Sequence, residues 1–171
     1  MEVKVIRSHR RRRTISARLI DGIMYIYTPV SISDEKLKEV IENFKRQFER
    51  RKLKEELNFK ENLHQVAQGL NEKYFGGKLK IGSIEYAVNQ HKRFGSCNYR
   101  KGTIRISHHL TKMPQWVRDY VLVHEMAHII QPNHSKFFWD IVSQYKLAER
   151  ARGYLIAKGF EPEAESDIDV A

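Results

Sequence analysis

The sequence predicts an α+β fold: a small mixed sheet packed on one buried helix, preceded by a β-hairpin and a long amphipathic helix. Three observations carry this expectation. Residues 15–27 alternate apolar and polar side chains on either side of Asp21-Gly22, a two-residue turn signature that joins antiparallel strands. Residues 34–57 instead place Leu37, Val40, Ile41, Phe44 and Phe48 at spacings of three and four, the period of a helix with one apolar face. Residues 114–130 are apolar nearly all round, which a helix sustains when it is buried. On this basis residues 1–58 form an N-terminal hairpin and helix, 59–160 the main domain, and 161–171 an acidic tail expected to be disordered.

Each element has a local reason. Val3 and Val5 form one short alternation, and Ile15, Ala17 and Leu19 form another beyond the basic run Arg10–Arg13. Ile23-Met24-Tyr25-Ile26-Tyr27 returns after the turn, and Thr28-Pro29 closes it. Ser33-Asp34-Glu35 starts the long helix with a capping hydroxyl and acids at its positive end. A second helix is expected over 61–74, with Leu63, Val66, Ala67, Leu70 and Tyr74 on one side and Gly76-Gly77 at its end. Leu79 to Val88 reads as strand, residues 89–102 as a loop, and Thr103–Ser107 as a strand with Ile104 and Ile106 on one face. Pro114 opens the central helix at a first-turn position that suits it. Ser135 caps a last helix carrying Phe138, Trp139, Ile141, Val142 and Tyr145, expected to continue towards Leu155.

Composition narrows the class. At 171 residues, with 41% hydrophobic and 30% charged residues, the chain fits one globular domain with a small appendage. No apolar run reaches membrane-spanning length and no signal peptide is legible at the start, so a cytoplasmic protein without a membrane partner is expected. The single cysteine, Cys97, rules out an internal disulfide framework. Net charge is +10, which makes a polyanion or nucleic acid a candidate partner through the basic N-terminal region. Arg10–Arg13 reads better as a solvated strand end that protects a sheet edge than as a binding arm.

The chemistry concentrates in His124-Glu125-Met126-Ala127-His128 and in His134 beyond it. Two histidines at i and i+4 share one face of a helix, so their rings converge on a common point. Glu125, one residue round, reaches a water on a metal without ligating it. A third histidine six residues on would point the wrong way in a continued helix. Pro132 removes that difficulty, because it extends Gln131 and cannot donate the next helical hydrogen bond. Asn133 tolerates left-handed geometry, so the chain folds back and presents His134. A chance HExxH is expected about 0.03 times in a chain of this composition. Buried imidazoles converging without metal or partners would be costly.

Three neutral imidazoles and a water make the open four-coordinate geometry of catalytic zinc. Glu125 then serves as general base, with Arg93 on the preceding loop as the candidate second positive group. Cys97 reads as a small loop-packing residue and not as a nucleophile.

The segments Arg93-Phe94-Gly95-Ser96-Cys97, Asp119 to His128 and Pro132 to Trp139, with Arg11 to Ser16 and Pro29 near the start, resemble the YgjP-like metal-dependent hydrolases. These are relatives of the SprT and WLM metallopeptidases within the zincins. Phe94 stands where the family pattern has tryptophan. The resemblance implies a zincin-like domain with one Zn2+ on His124, His128 and His134, Glu125 as catalytic base, and a polypeptide substrate. It also implies an alternative, since nucleotide pyrophosphatase activity is ascribed to one branch of the family. A non-enzymatic, metal-stabilised nucleic-acid- or protein-binding module is a further alternative, disfavoured because a structural site needs no Glu125. No second carboxylate cluster suited to magnesium on phosphates is legible, which tilts the reading to peptide. Substrate is expected along Thr103–Ser107 as a free sheet edge, with Ser96, Ile104 and Arg105 as substrate-binding residues.

Overall fold

The computed structural model describes residues 1–90 and 93–159 and divides the chain into two compact units, Met1–Lys52 and the residues from Leu53 onward. The acidic tail lies outside the described residues.

The first unit is a three-stranded sheet in the order β1 (Glu2–Ser8), β3 (Ile23–Pro29), β2 (Ser16–Ile20). The expected hairpin is present. Asp21 and Gly22 both take positive φ, 49° and 78°, and Ile20 pairs with Ile23 across them, the backbone that a tight turn between twisted strands requires. β1 adds to the far edge of β3 in parallel register, Val3 opposite Met24 and Val5 opposite Ile26. Met24, Ile26 and Leu37 form its core, with Phe44 and Phe48 packed against them from the long helix. That helix, α1 (Asp34–Lys60), is capped by Ser33, whose Oγ accepts from Lys36 N at 3.3 Å.

The second unit holds the end of α1, then α2 (Leu63–Phe75), β4 (Ser83–Ala87), β5 (Gly95–Asn98), β6 (Thr103–Ser107), α3 (Gln115–Ile130), α4 (Lys136–Val142) and α5 (Ala148–Ala157). Its sheet runs β4–β6–β5, with β4 parallel and β5 antiparallel to β6. Ile104 and Ile106 of β6 are fully buried in the same core as Val117, Leu122, Val123 and Met126 of α3. The mixed sheet and the buried helix are thus the α+β architecture that the sequence predicts.

Two expectations need correction. β6 is the central strand, hydrogen-bonded on both sides, so it offers no free edge; among the described residues β4 and β5 are the two edge strands, and β5 is the one whose Gly95 packs on Glu125 of α3. The last helix is also two helices. The Ser143 side chain turns back to bond Asp140 O at 3.0 Å, a local alternative to helical pairing that favours a break. Beyond it Tyr145 is buried, with its hydroxyl donating to Trp116 O at 2.9 Å.

A buried polar group on α3 ties the unit together. Arg118, 7% exposed, bonds both Glu61 and Asp119, and Glu61 also accepts from the Tyr86 hydroxyl of β4. Burial and the Glu61 carboxylate push the Tyr86 phenol well above its ordinary range.

Candidate metal centre

α3 brings His124 and His128 to one face, one turn apart, as the i, i+4 spacing requires. The helix stops at Ile130, and Gln131 is extended at φ −130°, ψ 102°, as a residue before proline should be. No left-handed residue makes the turn: among the described residues Asp21 is the one non-glycine with positive φ, so the role expected for Asn133 is corrected. The reversal is held instead by Gln131 Nε2 donating to Ser135 Oγ at 3.0 Å and Ser135 N donating to Asn133 O at 2.8 Å. Ser135 then caps α4, accepting from Phe138 N at 3.4 Å.

His134 arrives with its Nε2 3.2 Å from that of His124, and one ligand atom from each of the three histidines lies within 4.8 Å of the others. Two nitrogens at about 2.0–2.1 Å from a tetrahedral zinc stand about 3.3 Å apart, so this pair fits the ion. His128 Nδ1 lies 3.3 Å from Gln131 O. A carbonyl only accepts, so Nδ1 carries the proton and the Nε2 lone pair remains for a metal, the outer-shell arrangement usual for ligating histidine.

A family model described as YgjP-like, metallopeptidase domain, matches residues 2–148. The chain belongs to the YgjP-like family. Among solved structures, the metallopeptidase zymogen abylysin of Pyrococcus abyssi is similar at 17% identity and a TM-score of 0.48, over 56% of this chain and 92% of that one. No curated protein matches the chain.

Two parts of this YgjP-like site were not singled out from the sequence. Phe138, fully buried, sits against all three imidazoles: stacked on His128 with ring centres 4.5 Å apart, and edge-on to His134 and His124 at 4.6 and 4.9 Å. Trp139 stacks on His134 at 5.5 Å. The available signal was spacing, since Phe138 follows His134 by four residues on a helix that Ser135 caps. The second is Gly95 at the start of β5. A Cβ there would lie 2.2 Å from Glu125 Oε1 and 2.6 Å from Cδ and Cγ. The strand backbone therefore packs directly on the Glu125 side chain, which is 4% exposed.

The remaining candidates lie on the β4–β6–β5 sheet or just before β5. Arg93 is exposed, two residues ahead of Gly95. Arg105 is exposed on the sheet face opposite Ile104 and Ile106, with Nε 3.4 Å from Glu85 Oε1. Ser96 pairs with Arg105 and so shares that face, accepting from Gln90 Nε2 at 2.9 Å. Ile104 is 0% exposed. Alternation thus turns Ser96 and Arg105 away from α3 and packing seals Ile104, and the β6 edge along which they were expected to act is filled by β4 and β5. Cys97 faces α3. Burial, and then the Glu125 charge, push its thiol up to about 12, far from a nucleophile's range. No helix among the described residues is long and apolar enough to cross a membrane.

Proposed function

We propose that the chain is a zinc-dependent metallopeptidase acting on extended or unfolded polypeptide, with His124, His128 and His134 as ligands and Glu125 as general base. The observation that carries this reading is the convergence of three imidazole nitrogens within 4.8 Å on the helix that also holds a buried carboxylate. Histidine ligation with one position left open is a donor set of catalytic zinc. When bound, zinc brings the pKa of a water to about 7 and polarises the substrate carbonyl. Glu125 takes the proton of the attacking water and passes it to the departing amine. Gly95 fixes the place from which Glu125 does so. Arg93, exposed two residues ahead of Gly95, is the cation within reach by chain position to share the negative charge that develops on the carbonyl oxygen.

Substrate lies along β5. Phe94 O accepts from Ser107 N at 2.6 Å, so antiparallel alternation turns the amide groups of Gly95 and Cys97 away from β6, to the edge of the sheet. An extended peptide pairing there passes the Glu125 carboxylate. Main-chain pairing reads little side-chain information, so cleavage is broad and confined to unfolded segments.

The test is zinc-loaded protein incubated with a denatured protein and, separately, with nucleoside triphosphates, beside the Glu125→Gln variant. Cleavage of polypeptide that needs zinc and falls about 100- to 10,000-fold in the variant supports the reading. Hydrolysis of the triphosphates with the polypeptide left intact would overturn it. Peptides N-methylated at successive positions test the edge: one methyl should abolish cleavage where its amide pairs with β5.

A further inference from the structure

The N-terminal sheet has a second face, turned away from its core. On β3 the side chains of Met24, Ile26 and Thr28 are fully buried, so alternation places Tyr25 and Tyr27 on the opposite side. Register sets Lys4 and Arg18 beside Tyr25, and Ile6 and Ser16 beside Tyr27. Lys4 Nζ lies 5.8 Å from the centre of the Tyr25 ring, and the Arg11 guanidinium 5.5 Å from that of Tyr27. Arg11 is held there by its bond to Ser16 Oγ at 3.2 Å. The Lys4 side chain is 51% exposed and Ile6 40%, so this face meets solvent.

We propose that this face, formed by Tyr25, Tyr27, Lys4, Arg11 and Arg18, binds single-stranded nucleic acid, with bases against the tyrosines and phosphates against the cations. Charge favours an anionic partner: residues 1–33 hold seven Lys/Arg and two Asp/Glu. The acid on this face, Glu2, is spent on Lys4 in an exposed pair at 3.7 Å, which weakens the field little. The rings choose among anions. Two aromatic side chains at alternate positions of the central strand stand about 7 Å apart, each with its own cation. Polyphosphate has no use for them, and a duplex hides the base faces on which they act. Unpaired bases stack on aromatic rings whatever their identity, while cations follow the backbone. Of the basic run Arg10–Arg13, Arg11 is the member set against this surface by its contact with Tyr27. None of these residues belongs to the histidine cluster.

Fluorescence anisotropy of a labelled 15-nucleotide oligothymidine with the full chain tests it. Binding should be saturable and weaken with salt, and Arg18→Ser should flatten the slope of log K against log salt by about 0.7. Tyr25→Leu with Tyr27→Leu should weaken binding at least about fivefold, leave inorganic polyphosphate binding unchanged, and be rescued by phenylalanine at both positions. Should the leucine pair fail to fold by circular dichroism, the phenylalanine pair and Arg18→Ser decide. Equal affinity for a duplex of the same length would overturn the proposal. So would tyrosine variants that bind as the parent does, or binding to phosphatidylserine vesicles without binding to the oligonucleotide.

Discussion

Replacing Gly95 with alanine sets one methyl group where the Glu125 side chain lies. The new Cβ would stand 2.2 Å from Oε1, whereas ordinary contact begins at 3.4 Å. Glu125 must therefore withdraw by about 1 Å, and its buried position leaves it few places to go. A displacement of about 1 Å in a catalytic group costs about 100-fold in rate, and overpacking of this kind costs about 1–3 kcal/mol of stability. We expect Gly95→Ala to keep its zinc, to melt about 2–4 °C lower for each kcal/mol lost, and to lose about 100-fold in kcat/KM on a denatured protein. Gly69→Ala is the matched control. It sits in α2 with nothing within 4 Å of its added Cβ, so activity should hold and stability should rise by about 0.5–1 kcal/mol. Metal content, melting temperature and kcat/KM on the three proteins decide the matter. A Gly95→Ala enzyme that binds zinc and turns over at the parental rate would refute the idea that β5 positions Glu125 as the base.

Other perturbations read other parts of the site. His134→Ala should no longer hold stoichiometric zinc in a metal analysis after gel filtration; full retention would remove His134 from the ligand set. With its thiol at about 12, Cys97 holds about a thousandfold less thiolate at pH 8 than an ordinary thiol. Iodoacetamide should therefore modify the folded chain about a thousandfold more slowly than the unfolded one, and Glu125→Gln should speed the reaction. Equal rates in folded and unfolded protein would contradict the burial argument. Tyr145 is likewise raised to about 12, by burial first and the Asp119 charge second. Both groups keep their protons longer folded than unfolded, so their contribution is complete below pH 9 and is lost as pH rises towards 12. Urea midpoints should fall through that window, and a flat profile between pH 9 and 12 would count against it. Arg118→Met should cost about 3 kcal/mol, since it leaves Glu61 and Asp119 without their cation; a loss below about 1 kcal/mol would mean that water replaces it.

How much was legible depends on the range of the interaction. The Asp21-Gly22 turn, the capping serines and the break before Pro132 are decided by neighbours a few residues apart, and each appears where its chemistry requires. The third histidine was legible for the same reason: His124, His128 and the proline that redirects the chain lie within eleven residues. The split of the last helix was missed because the local Ser143 bond to Asp140 O acts together with a long-range one, Tyr145 to Trp116 O, a partner 29 residues away. Asn133 was credited with a turn that Gln131 and Ser135 make with their side chains, where residue preference alone is a poor guide.

The sequence by itself determined the family resemblance, the convergence of His124, His128 and His134 and the helix that presents the first two, because residue type and spacing on a helix are properties of local covalent geometry. Strand order was decided only in the tertiary structure. Thr103–Ser107 has the same alternating pattern whether it is central or at an edge, since alternation reports on faces and is silent on which neighbours fill the hydrogen bonds. Its place between β4 and β5 leaves those two strands as the edges, and on β5 the outward amides are those of Gly95 and Cys97. The same assembly brings Gly95 onto Glu125 and Phe138 behind three imidazoles, contacts between segments that no local period records.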